Sequence, residues 1–351
     1  MRMEPDTDRE ALTRRLHQQY NIDIENLTLV HKGFVGYCYI VDCANSDRYF
    51  LKLYDDSRLG RINASRLDFY LPLTWNLHYK GILPNVPYPI KTRNGHLKTD
   101  FEGQPLVLFN FIDGKMVGWE DPLPDHILMK LASMVGIFHR STPEIGIEFD
   151  YVEDFGIPFE DDMINGLNAL ENTTSRDSWG KQELRKLLLP RRDEILGYLD
   201  RLKELQKVAR IIEKDKVLCH TDLHGGNLII NDQGDLYILD WEGAMIAPPE
   251  HDLFFCAWED RFVDLFLPNY QREFGPAELD SNVFGFYYYR RNLEDLTDWI
   301  VRILYENVDD EQDRNDLDGI VEDCVSGWPY LEDTISKIDA KLRQIRKTQI
   351  A

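Results

Sequence analysis

Cys219-His220-Thr221-Asp222-Leu223-His224-Gly225-Gly226-Asn227, followed at the far end of a short apolar stretch by Asp240-Trp241-Glu242, decides how this 351-residue chain folds. It places a carboxylate, an amide and a second carboxylate at His-x-Asp-x₄-Asn…Asp spacing. Leu228-Ile229-Ile230 and Leu236-Tyr237-Ile238-Leu239 are apolar runs separated by Asn231-Asp232-Gln233-Gly234-Asp235. That pattern predicts two strands joined by a turn, a hairpin that returns Asp240 to the neighbourhood of Asn227. One carboxylate to orient a hydroxyl and two oxygen ligands to hold Mg²⁺ against ATP phosphates is the set that phosphoryl transfer needs. Two other readings compete. One is a polar turn with a cap residue or two. The other is a zinc site from His220 and His224 with Cys219 or His251. Against zinc, Gly225-Gly226 put His224 in a loop, and no Glu follows His220 as the metalloprotease pattern requires.

Composition narrows the classes. The chain is long enough for two lobes with ample core. Its apolar fraction of 43% contains no run of eighteen apolar residues, so no membrane span is expected. Met1 to Asp6 leads into a polar helical pattern without the apolar stretch of a signal peptide. The five cysteines, at 38, 43, 219, 256 and 324, are odd in number and lack paired spacing, which fits reduced thiols in the cytoplasm. A formal net charge of −22 argues against nucleic acid or an anionic membrane as partner and permits a cationic small-molecule substrate. The charge is uneven: from Leu293 to Cys324 twelve acids face only Arg302 and Arg314. Such a block is a solvated helix face, a loop, or a pocket for a polyamine-like cation.

Along the chain, Asp8 to Tyr20 is predicted as a helix, and Leu27–Val30 and Tyr37–Val41 as strands flanking a turn with Gly33 and Gly36. Arg48–Tyr54 alternates as a strand with Phe50, Lys52 and Tyr54 on one side. Arg61 to Tyr79 has helical spacing interrupted by Pro72. Leu106–Phe109 reads as a buried strand and Asn110–Gly114 as a connector, with the lobe boundary near 113. Pro124–Arg140 is an amphipathic helix, residues 151–216 are helical and charged, and helices resume from about Asp252. A β-rich first part (1–112) and a mainly helical second part (113–351) with one embedded hairpin predict an α+β fold of two lobes.

Taken in order, Gly33/Gly36, Lys52, Leu106–Gly114, His220-x-Asp222-x₄-Asn227, Asp240-Trp241-Glu242 and Pro249-Glu250-His251-Asp252-Leu253 resemble the aminoglycoside phosphotransferase family, the protein-kinase-like kinases of small molecules. The resemblance covers most of the chain. Tyr20–Ile24, Leu218–Asn227 and Tyr288–Asp295 look most like its spectinomycin phosphotransferase branch. The resemblance implies a bilobal kinase-like fold with a nucleotide-binding lobe at 1–112 and a catalytic and substrate-binding lobe at 113–351. It implies Asp222 as catalytic aspartate, Asn227 and Asp240 as Mg²⁺ ligands, and Lys52 on the α- and β-phosphates of ATP, with GTP as the alternative nucleotide. Asp68 is the best candidate for the acid that pairs Lys52. Gly33 and Gly36 would let backbone amides approach the phosphates. Phe109, Asn110 and Phe111 would offer backbone hydrogen bonds to adenine above Ile229 and Leu239. Asp252 and His220 would brace the catalytic loop. Tyr288, Glu294, Asp295, Asp298 and Trp299 would receive an ammonium-bearing acceptor.

The implied activity is ATP-dependent O-phosphorylation of a cationic small molecule, such as the aminocyclitol spectinomycin, giving resistance, by a cytoplasmic monomer or homodimer. A metabolic kinase for choline, homoserine or methylthioribose is the same-fold alternative. A nucleotide-binding module without turnover would have lost Lys52, Asp222, Asn227 or Asp240, and all four are present. Barely eight residues separate Asp240 from Pro249, too few for a protein kinase's activation segment.

Overall fold

A computed structural model of the chain describes residues 8–30, 36–118, 123–212 and 214–350. In chain order its strands are β1 (Ile24–Val30), β2 (Tyr37–Cys43), β3 (Arg48–Leu53), β4 (Thr99–Phe101), β5 (Gln104–Asn110), β6 (Lys115–Met116), β7 (Val217–Cys219), β8 (Leu228–Ile230), β9 (Leu236–Ile238) and β10 (Met245–Ala247). The α-helices are α1 (Arg9–Tyr20), α2 (Arg58–Ser65), α3 (Leu67–Tyr79), α4 (Asp125–Arg140), α5 (Glu160–Asn172), α6 (Trp179–Leu188), α7 (Arg192–Ile211), α8 (Glu250–Ala257), α9 (Leu267–Phe274), α10 (Ser281–Val301), α11 (Asp310–Gly319) and α12 (Leu331–Ile350). The fold is α+β, with a helical majority and small antiparallel sheets. Contacts gather it into two compact units. One comprises Met1–Val152, Val217–Ala247 and Asp264–Pro276; the other comprises Glu153–Lys216, Pro248–Val263 and Ala277–Ala351.

In the first unit, α1 starts where the Asp8 carboxylate accepts the Ala11 N–H and ends at Asn21 in the left-handed region. Its Leu12, Leu16 and Tyr20, one turn apart, bury against a five-stranded sheet of order β1-β2-β3-β5-β4. Alternation in β3 sends Leu51 and Leu53 into that core and Lys52 to the opposite face. The helical region after β3 breaks at Arg66 rather than at Pro72. Pro72 lies within α3, which tolerates the loss of one N–H there. The Arg66 guanidinium donates to the carbonyls of Gly243 and Ala244 and lies 3.8 Å over the Tyr151 ring, which holds the chain between α2 and α3 in place. The predicted hairpin is present as β8–β9, with β6 added to its edge. A two-stranded ladder joins β7 to β10.

In the second unit, α10 is the central helix, flanked by α5, α7, α8 and α12. The described residues contain no helix long and apolar enough to cross a membrane. Part of the acidic block is structural: Asp313 and Asp316 are buried, both accept from Asn307, and Arg302 pairs with Asp316 at 2.8 Å.

Candidate active site

The hairpin sets the geometry. Leu228 faces Ile238, Ile229 faces Tyr237 and Ile230 faces Leu236; the Leu239 N–H then donates to the Asn227 carbonyl at 2.8 Å. Asp240 therefore follows directly on the residue bonded to Asn227. Thr221 (φ 76°) and Asp240 (φ 58°) both lie in the left-handed region, which a β-branched threonine rarely adopts. Strain of this kind gathers at functional sites, where surrounding structure over-determines it. Gly243 shows how tightly the two segments meet: a Cβ there would stand 2.5 Å from Thr221 Oγ1.

Hydrogen bonds organise the loop. Asn227 Nδ2 donates to the backbone carbonyl and to Oδ2 of Asp222, both at 2.9 Å. His220 is fully buried. Its Nε2–H donates to the Leu239 carbonyl at 2.6 Å and its Nδ1 accepts the Asp222 N–H at 3.2 Å, so one tautomer is fixed. With both ring nitrogens engaged, His220 has no lone pair for zinc. Trp241 meets the His220 ring edge-on at 4.8 Å and donates its indole N–H to the Ile238 carbonyl. His220 is thus a brace, in keeping with its expected role.

Lys52 is joined to the same loop system. Its ammonium lies 2.6 Å from Glu242 Oε1 and 3.9 Å from Asp240 Oδ1. Asp68, the expected partner of Lys52, instead pairs with Lys98 at 2.8 Å with 87% of its side chain exposed, because its position on α3 points it into solvent. The acid that pairs the lysine is the third residue of Asp240-Trp241-Glu242. Glu242 also accepts from Tyr54 (2.6 Å), Tyr70 (3.3 Å) and Asn63 (2.7 Å). Burial favours the neutral forms of both charged partners. Their mutual attraction outweighs it, holding the Lys52 ammonium above and the Glu242 carboxyl below their usual ranges. Loss of hydration pushes Asp240 upward, with Lys52 opposing and the Glu242 and Asp222 charges adding to the rise.

These groups fit a hard divalent cation. Asn227 commits its Nδ2 to Asp222, which leaves the amide oxygen as its ligating end, and Asp240 keeps 46% of its side chain open. Carboxylate and amide oxygens are the donors that Mg²⁺ takes.

The predicted nucleotide contacts divide. Gly33 lies outside the described residues. Gly36 has φ +68°, and a Cβ there would stand 2.3 Å from the Leu53 carbonyl, so only glycine allows β2 to start against β3. Phe109 is buried and stacks near Tyr70, and Phe111 lies 3.9 Å beneath the Arg48 guanidinium. The Asn110 N–H donates to the Tyr88 carbonyl and its side chain accepts the Tyr88 N–H, so that amide is already taken and does not await adenine. Ile229 and Leu239 are half-buried, and Ile229 presses on Gly114, where a Cβ would come within 2.5 Å of it. Gly225 makes a similar approach to the Gly118 carbonyl, so the connector after β5 is laid directly along the catalytic-loop candidate. Local sequence pattern gives no signal for Tyr70, Asn63 or Arg66, nor for the close approaches at Gly114 and Gly225. For Glu242 the Asp-x-Glu spacing of Asp240-Trp241-Glu242 is the available signal.

The five predicted acceptor residues all lie on α10, in the second unit. Tyr288 donates to the Phe254 carbonyl, Asp295 pairs with Arg291 at 2.8 Å, and Trp299 packs on Gly319 with Arg302 above its ring. Glu294 and Asp298 are one turn apart. Burial raises the Glu294 carboxyl, with Arg290 and Arg291 opposing and Asp298 adding to the rise. Asp252 is buried at the start of α8.

A kinase-like sheet, a His-x-Asp-x₄-Asn loop and a hairpin ending in an acidic Asp-x-Glu turn define the phosphotransferases that move a phosphoryl group onto an alcohol. Residues 27–286 match the Phosphotransferase enzyme family (APH), and the chain belongs to that family; it is a transferase of the aminoglycoside phosphotransferase type. Protein StrN of Streptomyces griseus is 28% identical over 233 residues, 64% of this chain and 67% of that protein. Spectinomycin phosphotransferase APH(9)-Ia, solved with ADP and spectinomycin, superposes with a TM-score of 0.72 at 21% identity, over 96% of this chain and 99% of that one. Amicoumacin kinase hAmiN, solved with AMP-PNP, Ca²⁺ and amicoumacin, gives 0.60 at 16% identity, over 97% of each chain.

Proposed function

We propose that the protein phosphorylates a hydroxyl of a cationic small molecule with ATP, and that the acceptor is an aminocyclitol or aminoglycoside antibiotic such as spectinomycin. The observation that carries this is the set Lys52, Asp240, Asn227 and Asp222 within one compact unit: Lys52 lies 3.9 Å from Asp240, Asn227 donates to Asp222 at 2.9 Å, and the Leu239 N–H bond to the Asn227 carbonyl at 2.8 Å sets the two pairs side by side. Asp222 is the group that accepts or orients the acceptor proton. Asn227 and Asp240 are the ligands for Mg²⁺, which when bound offsets charge on the transferred phosphoryl group. Lys52, oriented by Glu242, is the point charge for the α- and β-phosphates. Residues 1–112 supply the nucleotide side of the work and residues 113–351 the catalytic loop and the acceptor side. Glu294 and Asp298 of α10, with Tyr288, Asp295 and Trp299, supply the carboxylates and rings for a substrate ammonium. The net charge of −22 supports such a substrate and disfavours nucleic acid and membrane partners. Five free, buried cysteines support a reducing, cytoplasmic setting, and we assign the protein as a monomer or homodimer.

The test is a panel of spectinomycin, aminoglycosides, choline, homoserine and methylthioribose in a nucleotide-consumption assay with ATP and with GTP, followed by mass spectrometry for one added phosphoryl group. Consumption with aminocyclitols is expected. Preference for choline, homoserine or methylthioribose would replace the antibiotic by a metabolite, and no consumption with any acceptor would point to a non-catalytic nucleotide-binding module. Asp222→Ala should bind ATP and lose about 10²–10⁴-fold in turnover; near-normal turnover would remove Asp222 from the mechanism. Neutralising Glu294, Asp295 and Asp298 together should raise the acceptor KM more than the ATP KM, and the opposite result would place the acceptor elsewhere.

A further inference from the structure

His224 stands in the same loop as Asp222 with 12% of its side chain exposed, and both ring nitrogens face polar groups. Its Nδ1 accepts the Gly226 N–H at 3.0 Å, capping the short 3₁₀ turn Gly225–Asn227. A neutral ring that accepts at Nδ1 carries its proton on Nε2. Around Nε2 lie Asp222 Oδ2 at 3.3 Å and Asn227 Nδ2 at 3.1 Å. The Asn227 amide nitrogen has no lone pair to offer, and its two protons go to the carbonyl and Oδ2 of Asp222. Exchanging the amide nitrogen and oxygen does not help, because the oxygen would then face two acceptors on Asp222 at 2.9 Å. Of these two neighbours, Asp222 Oδ2 is therefore the acceptor that the Nε2 proton can use.

We propose that His224 is a positioning residue for Asp222. Its Nε2–H and the Asn227 amide hold the same carboxylate oxygen from two directions, which stops rotation of the carboxylate and presents it to the acceptor hydroxyl in one orientation. The inference rests on the assignment of Asp222 as the group that meets that hydroxyl. A misplacement of about 1 Å in such a group lowers turnover by about 10²-fold, so loss of the His224 bond is read in kcat rather than in nucleotide affinity. A role confined to capping makes the opposite prediction, and two substitutions separate the roles. Asn at 224 keeps an oxygen for the Gly226 N–H but is too short to reach Asp222. Gln places an amide donor near the position of Nε2 and gives up the cap.

The experiment uses the full chain with Mg-ATP, following ADP release with the acceptor found by the panel above, or with water as acceptor when none is added. His224→Asn should keep the thermal midpoint and ATP KM of the parent and lose about 10²-fold in kcat; His224→Gln should lower the thermal midpoint and retain more of kcat than His224→Asn. Parent-like kcat in His224→Asn, with or without a damaged His224→Gln, overturns the proposal. In an Asp222→Asn background, His224→Asn should cause no further loss, whereas an additive loss would show that His224 acts elsewhere. Should Asp222→Asn itself turn over normally, the assignment of Asp222 fails independently of His224. Nitrogen-15 NMR of labelled histidine should show the 224 ring protonated at Nε2 and bare at Nδ1, and the reverse tautomer would break the hydrogen-bond argument.

Discussion

Lys52–Glu242 in the first compact unit and Arg290–Glu153 in the second are both buried cation–carboxylate pairs, and they are built differently. In the first unit Lys52 meets Glu242 with side-chain exposures of 13% and 7%; in the second Arg290 meets Glu153 with 13% and 2%. Glu242 has three further donors, from Tyr54, Tyr70 and Asn63, while Lys52 also faces the partly open Asp240. Glu153 is closed in. Arg290 Nη1 reaches both its oxygens at 2.8 and 3.0 Å, the Phe155 N–H donates to it, and the other end of the guanidinium donates to His251, whose ring stacks on Tyr287 at 4.1 Å. An arginine fork locks geometry, whereas a lysine is a compact charge on a flexible stem that can serve a second anion without releasing the first. The pair with reserve donors and an open neighbour suits ligand binding, and the closed pair suits architecture.

That contrast is broken most directly by removing each cation. Arg290→Met should lower the unfolding free energy by about 3–5 kcal/mol, because it strands a buried carboxylate, and should leave the ATP KM unchanged in whatever fraction stays folded. Lys52→Met strands Glu242 with three donors still in place, so its loss of stability should be clearly smaller, while kcat/KM for ATP falls by about 10²–10³-fold. Urea titration together with steady-state kinetics checks both. Equal destabilisation by the two substitutions would mean that the reserve donors do not matter.

Removing the acids sharpens the same point. Glu242→Gln keeps an acceptor for the tyrosine hydroxyls but weakens its hold on Lys52, so the ATP KM should rise with stability lowered by about 1–3 kcal/mol. Glu153→Gln should change stability alone. A rise in ATP KM for Glu153→Gln and none for Glu242→Gln would exchange the roles of the two pairs. On a smaller scale, Gly243→Ala should cost about 1–3 kcal/mol through its clash with Thr221 Oγ1 and lower kcat with it. Gly197→Ala, with open space around it on α7, should be neutral or slightly stabilising by helix propensity. Thermal melts of the two variants decide this, and equal midpoints would remove the close-approach argument at 243.

How legible these features were in the chain depended on whether the interaction was local. The hairpin and the return of Asp240 to Asn227 follow from nearby residues: two short apolar runs on either side of an Asn-to-Asp turn leave little choice of partner. Period-two alternation through Arg48–Tyr54 puts Lys52 of β3 and Tyr54, just past its end, on one side, and both meet Glu242. The identity of the lysine's partner was not legible, because Glu242 lies 190 positions away and the expectation looked for an acid on the next helix. Asp68 sits there, but helical phase turns it outward to Lys98. The helix break was likewise placed at Pro72 on local propensity, whereas it falls at Arg66, whose guanidinium bonds carbonyls at 243 and 244. Gly114, Gly225 and Gly243 look like ordinary loop glycines until two distant segments are brought within a side chain's width of each other.

The weakest member of the comparison is a third pair that has the same chemistry without the burial. Arg201 donates to Glu332 at 2.8 Å with 36% and 55% of the side chains exposed, and Tyr289 donates to the same oxygen at 2.9 Å. The Arg201 hydrogen bond, with Tyr289 adding, holds the Glu332 carboxyl below its usual range. A carboxylate whose folded pKa is depressed contributes stability above the unfolded value of about 4.3, and that contribution disappears as pH falls through the lower folded value. Solvent screening at this exposure limits it to about 0–1 kcal/mol. Glu332→Gln should therefore be slightly less stable than the parent at about pH 7, and the difference should shrink as the medium is acidified below about pH 4. Urea midpoints measured at both values check the sign. A difference that widened in acid would mean that the bond stabilises the protonated acid, and burial would then not be what separates this pair from the other two.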